Sequence, residues 1–169
     1  MLTDTPIKPQ GKSALEWIES QLPETIETRL WLEEYLWLYG LLKSELNVGP
    51  VFRLPDLISA CVSLVFSRNG ASTQIFIFLA TDVVTRPRDA IRRRESLWRQ
   101  QYELLLNLQR SPANRHPNPK FQLDHLTTAC VALCRLADDS GRLVLHQARI
   151  NMAERATQKR SDPQGDLTG

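Results

Sequence analysis

The sequence predicts a mainly helical fold: a helical N-terminal module followed by two tandem strand–helix–helix repeats, with an all-α bundle as the alternative. Three observations lead there. The chain repeats itself once, so that the segment 50–64 falls on the segment 119–133 with eight of fifteen pairs identical: Pro50/Pro119, Phe52/Phe121, Leu54/Leu123, Leu57/Leu126, Ala60/Ala129, Cys61/Cys130, Val62/Val131 and Leu64/Leu133. A duplicated unit that cannot bury its apolar face alone pairs with its copy. Apolar residues also recur with helical period through much of the chain, and turn signals such as Asn47-Val48-Gly49-Pro50 and Arg68-Asn69-Gly70 divide these stretches.

Residues 1–12, with Pro6, Pro9 and Gly11, read as a flexible leader. A helical module follows over 13–48. Ser13 with Glu16 forms a capping box for a short helix to Leu22, and Pro23 opens a second helix with Ile26, Leu30, Leu38 and Leu41 on its apolar face. Trp31, Tyr35, Trp37 and Tyr39 crowd into nine positions, which suits either a buried helix or one that docks a partner.

Repeat 1 spans 49–85 and repeat 2 spans 119–160. In each, a short alternating strand (Val51-Phe52-Arg53-Leu54; Lys120-Phe121-Gln122-Leu123) points its Phe and Leu inward, and a helix follows. Asp56 caps the first of these helices. Residues 73–80 have strand propensity, but their counterpart after Gly141 reads as helix, so both are assigned to helices. Between the repeats, 86–118 reads as a long basic linker helix from Arg88 to Arg110 and a proline-broken connection. Residues 161–169 form a disordered tail.

Charge is uneven within a net of +2. Residues 1–48 carry a net of −4, whereas residues 86–115 carry eight arginines against three acids, a net of +5. That asymmetry suits a basic binding surface beside an acidic module. No run of eighteen apolar residues is present and the N-terminus lacks the pattern of a signal peptide, so a cytoplasmic protein without a membrane span is expected. Three cysteines, none in a metal-ligand spacing, are expected as buried thiols, with Cys61 and Cys130 at equivalent positions. No nucleotide-binding, zinc-protease or nucleophile-elbow motif occurs, and His116, His125 and His146 are scattered, so no enzyme and no cofactor are expected.

The order strand, helix, Gly turn, helix resembles the ribbon-helix-helix DNA-binding family. Pro50-Val51-Phe52-Arg53-Leu54 and Pro119-Lys120-Phe121-Gln122-Leu123 are similar to the strand of Arc-type repressors, and Arg68-Asn69-Gly70-Ala71-Ser72 is similar to that family's inter-helix turn. The likeness covers under half of the chain and rests on short motifs. It implies that residues 51–54 and 120–123 pair as an antiparallel ribbon within one chain, bring Phe52 and Phe121 into one core, and enter the major groove of double-stranded DNA. Arg53, Lys120 and Gln122 would then contact bases and Arg68, Arg92, Arg93 and Arg94 phosphates. An accessory or regulatory role, as for such tandem proteins of plasmids and other mobile elements, follows from the same likeness. The rival expectation is a helical adaptor or assembly subunit that binds a protein partner through Trp31, Trp37 and Tyr39.

Overall fold

The computed structural model describes residues 13–14, 24–114 and 120–161. The expected leader, most of the helix from Ser13 to Leu22, the proline-rich stretch 115–119 and the tail after Ser161 lie outside the described residues. Within them the chain is mainly helical, with one two-stranded antiparallel sheet.

The element order is strand–helix–helix–helix, twice. The first half runs β1 (Thr25–Trp31), α1 (Leu32–Leu42), α2 (Leu54–Phe66) and α3 (Ala71–Thr81), with a 3-10 turn at Val83–Thr85. The second runs β2 (Arg92–Trp98), α4 (Arg99–Gln109), α5 (Leu123–Ala137) and α6 (Arg142–Ser161). Helices over 73–80 and after Gly141 are where the second copy's pattern places them. Gly70 and Gly141, each at a positive φ that L side chains rarely adopt, start α3 and α6.

Four segments differ from expectation. Residues 25–31 are a strand rather than part of a helix from Pro23, so the 13–48 segment is not wholly helical; the basic segment 88–110 is a strand and a helix that meet between Trp98 and Arg99. The strands expected at 51–54 and 120–123 are absent. Leu54 and Leu123 open α2 and α5, and the residues before them are extended but unpaired with any strand.

The reason lies in an asparagine upstream. Asn47, 3% exposed, donates from Nδ2 to the Phe52 carbonyl at 3.0 Å and accepts the Phe52 N–H on Oδ1 at 2.7 Å, so one amide group occupies both backbone sites a neighbouring strand would have used. Its Nδ2 also donates to the Leu42 carbonyl at the end of α1. Asn114 repeats the donating half of the device, its Nδ2 bonding the carbonyls of Gln109 and Phe121. Phe52 and Phe121 are both buried in one hydrophobic core, as expected, without a ribbon to carry them there.

That core is built on α2 and α5, whose buried faces (Leu57, Ile58, Val62 and Leu126, Cys130, Val131) pack together. Each strand lies on the helix of the other half. The Trp31 N–H donates to Thr128 Oγ1 of α5 at 3.1 Å, and the Trp98 N–H donates to Ser59 Oγ of α2 at 2.8 Å. Thr28 and Thr127 hydroxyls add a buried hydrogen bond at 2.8 Å. A buried ion pair fixes the approach to β2: Arg86 forks onto Glu34 of α1 at 2.6 and 2.9 Å and holds Asp82 at 2.8 Å. All three cysteines are buried free thiols, and Cys134 Sγ donates to the Cys61 carbonyl. Burial pushes the Cys61 and Cys130 thiols well above their ordinary pKa, which keeps them protonated and unreactive.

Candidate nucleic-acid interface

The two strands form a short ribbon in which Thr25 faces Trp98, Thr28 faces Glu95, Arg29 faces Arg94 and Trp31 faces Arg92. Alternation divides it into two faces. Thr28, Leu30 and Leu97 point into the core. The other face carries Glu27, Arg29, Arg92 and Arg94, all exposed, with Ser96 between.

Tryptophans close both ends of this outer face, each beneath an arginine. The Arg92 guanidinium lies 4.1 Å from the Trp31 ring and pairs with Asp124 at 2.7 Å; Arg155 lies 4.0 Å from the Trp98 ring and pairs with Asp56 at 3.3 Å. Cation–π stacking and the ion pair together fix each guanidinium. The aspartates belong to the N-termini of α5 and α2, where the arginine and the helix dipole both favour the anion. Burial raises the Asp124 carboxyl, and contacts with His125 and Arg92 lower it by more, leaving its pKa below the ordinary aspartate value. The ends differ in one respect. Asp56 accepts both the Arg53 N–H and the Trp98 indole N–H, whereas His125 stands at the corresponding place, its Nδ1 accepting the Gln122 N–H and its ring 5.2 Å from Trp31.

Just off the centre of the face, on the side toward Trp31, arginine stands on arginine. Arg29 and Arg94 sit directly opposite; like charges so placed repel. Arg94 is partly neutralised by Glu27 at 2.9 Å, both of them exposed. Arg29 has no ion pair among the described residues. On the inner face Glu95 is pushed above its ordinary pKa by burial, an effect partly offset by the Ser96 N–H and Arg93.

The residues singled out from the sequence scatter unevenly around this ribbon. Arg92, Arg93 and Arg94 are on β2, with Arg92 and Arg94 on the outer face and Arg93 over the Tyr35 ring at 5.1 Å. Gln122 is not in a strand, yet it comes to the ribbon: a depression of about 240 Å³ is lined by Glu27, Arg29, Gln122 and Asp124. Arg53 is the exposed residue preceding α2, and Lys120 lies just before Gln122. Arg68 sits in the turn between α2 and α3, a half-buried position. Of the three expected partner anchors, Trp31 is buried at 5% exposure, wedged between Arg92 and His125. Trp37 is half-buried and donates from Nε1 to the Asp139 carbonyl at 3.1 Å, and Tyr39 is exposed.

Arg29 and Glu27 were missed. The signal was present: Leu30-Trp31, Tyr35, Leu38, Leu41, Ser44 and Asn47 recur, in the same order and at the same intervals, as Leu97-Trp98, Tyr102, Leu105, Leu108, Ser111 and Asn114. That second alignment begins the repeated unit at the strands. No protein-family model matches the chain, and no curated protein or solved structure is similar to it. Among the described residues no helix is long and apolar enough to cross a membrane, and no group of three or more His, Cys, Asp and Glu is placed to hold a metal ion.

Proposed function

We propose that this protein binds double-stranded DNA without catalysing a reaction, as an accessory or regulatory factor, and that its reading element is the ribbon of β1 and β2. The ribbon-helix-helix resemblance then applies to different residues from those that first suggested it. Each half supplies a strand, the helix directly after it and a helix whose N-terminus returns beside the ribbon, so two halves of one chain stand for the two subunits of a dimer. The single observation that carries the reading is the outer face itself: Arg29 and Arg94 face each other across the two strands, Arg29 with no acid on it among the described residues. Such a pair costs stability unless an anion completes it, and a two-stranded ribbon of this width fits the major groove.

Roles follow from position. Arg29 and Arg94 contact bases, with Gln122 at the edge of the same depression. Arg53 and Lys120, exposed before the N-termini of α2 and α5, contact phosphates on either side. Arg92 is held by Trp31 and Asp124 and shapes the ribbon's end more than it contacts DNA. The place of such a factor in a plasmid or other mobile element rests on the family resemblance alone.

Fluorescence anisotropy with a labelled duplex at a series of salt concentrations tests the reading. Binding should weaken steeply with salt, by a log–log slope of about 0.9 for each phosphate neutralised. Absence of duplex binding at low salt refutes it.

A protein-binding role is supported by a separate surface. Leu36 is 55% and Leu136 74% exposed, and Leu36, Gly40 and Leu41 line a groove with Trp37 and Ser140. Quenching of Trp37 that disappears when a partner is added is the expected sign; Trp31, already buried, would not respond.

A further inference from the structure

The outer face of the ribbon is lopsided. The alignment that places Leu30-Trp31 on Leu97-Trp98 also places Thr28 on Glu95, and these two equivalent positions face each other at the centre of the strand register. Under that equivalence Glu27 corresponds to Arg94 and Arg29 to Ser96. Had the copies stayed alike, each side of the centre would present the same pair of side chains. Instead Arg29 and Arg94 both fall on the side toward Trp31, with Arg92 beyond them, and Glu27 and Ser96 both fall on the side toward Trp98.

Resting on the proposed DNA-binding role of the ribbon, we infer that the chain recognises an asymmetric duplex, with a guanine-bearing half under Arg29 and Arg94 and a differently read half under Glu27 and Ser96. Arginine pairs in bidentate fashion with guanine O6 and N7, whereas a carboxylate accepts from the cytosine amino group and a serine hydroxyl discriminates little. The two arginine side chains leave directly opposed positions, close enough to address neighbouring base pairs. Glu27 has a second effect. Its 2.9 Å ion pair draws Arg94 toward the acidic half, so Arg29 is the stronger determinant and Glu27 competes with DNA for Arg94. The flanks are unlike as well: Arg53 precedes α2 where Gln122 precedes α5.

The test is selection of the full chain against a randomised duplex pool, followed by anisotropy on the recovered site and on the two palindromes made by doubling each half. The expected result is a non-palindromic site with guanines confined to one half. Arg29→Ala should weaken it about 10- to 100-fold and erase the guanine preference. Glu27→Ala should strengthen it several-fold, and Glu27→Arg combined with Ser96→Arg should shift preference toward the palindrome built from the guanine half. Recovery of a palindrome by the unaltered protein, or equal affinity for both palindromes and the asymmetric site, overturns the inference and leaves DNA binding standing. No enrichment and no salt-dependent binding to any duplex overturns the proposed function itself, and the inference with it. Circular dichroism of each variant confirms folding, since all of these side chains are exposed or half-buried on the ribbon.

Discussion

Replacing Asn47 by alanine removes three hydrogen bonds at once: Nδ2 to the Leu42 carbonyl at 3.0 Å, Nδ2 to the Phe52 carbonyl at 3.0 Å, and the Phe52 N–H to Oδ1 at 2.7 Å. Each is worth about 1 kcal/mol net, and a buried group left without a partner costs about 1–3 kcal/mol. Asn47 is 3% and Phe52 2% exposed, so water does not readily take over the vacated sites. The expected loss is therefore about 3–5 kcal/mol, a third or more of the stability of a typical domain. Urea unfolding followed by circular dichroism should show the midpoint fall by about 1–2.5 M at an unchanged slope, if the slope is about 2–3 kcal/mol per M. Asn47→Asp is the sharper variant. It keeps the acceptor for the Phe52 N–H but turns a carboxylate toward two carbonyl oxygens, so near neutral pH it should be at least as damaging as alanine, with partial relief on acidification. A loss below about 1 kcal/mol for Asn47→Ala would show that the amide does not substitute for a strand partner.

Other expectations rest on separate features. Arg86→Met strands Glu34, 2% exposed, without its cation and should cost about 3–5 kcal/mol; Glu34→Leu combined with Arg86→Met should recover much of it, and a double-mutant cycle by urea unfolding measures the coupling. Gly141→Ala places a Cβ about 2.6 Å from Leu41 Cδ1 at a φ of 77°, so it should lower the thermal midpoint, and Leu41→Ala should relieve only the steric part. Asp138 accepts from the Ser140 hydroxyl and the Leu143 N–H at the start of α6, and these bonds lower its pKa. Because the folded value is depressed, that stabilisation is complete above the unfolded aspartate pKa of about 3.9 and is lost as pH falls through the folded one. Asp138→Ala should thus cost about 1 kcal/mol at pH 7, the usual cost of a lost helix cap, and the difference from the parent should vanish in acid, as read by thermal unfolding at several pH values.

Helices α2, α5 and α6 were legible because their apolar residues recur at helical spacing between clear turn signals. Phe52 and Phe121 were legible as core residues from the apolar–polar alternation of the segments before those helices. The strands were not. In β2 the inner-face positions include Arg93 and Glu95, so no apolar alternation marks it; Arg93 is accommodated over the Tyr35 ring, a tertiary contact no local pattern records. In β1, Leu30 and Trp31 run directly into the helical pattern of α1 and were absorbed by it. The repeat was seen only downstream because the second half carries a longer connection, from Asn114 to Leu123 against Asn47 to Leu54, which breaks one alignment into two. The extended residues before α2 look like a strand because their side chains alternate, while the partner of their backbone is the Asn47 side chain. The ribbon expected at 51–54 and 120–123 is thus absent, and the ribbon the chain forms starts upstream of each, at Thr25 and Arg92.

The exchange of strands between halves, with Trp31 hydrogen-bonded to Thr128 and Trp98 to Ser59, bears on how the two copies diverge. Each half packs on the other: a change in β1 is felt at α5, and a change in β2 at α2. Equivalent positions differ on both faces of the ribbon, Arg29 against Ser96 outside and Thr28 against Glu95 inside, whereas Leu30 and Leu97 look inward and are the same residue in both copies.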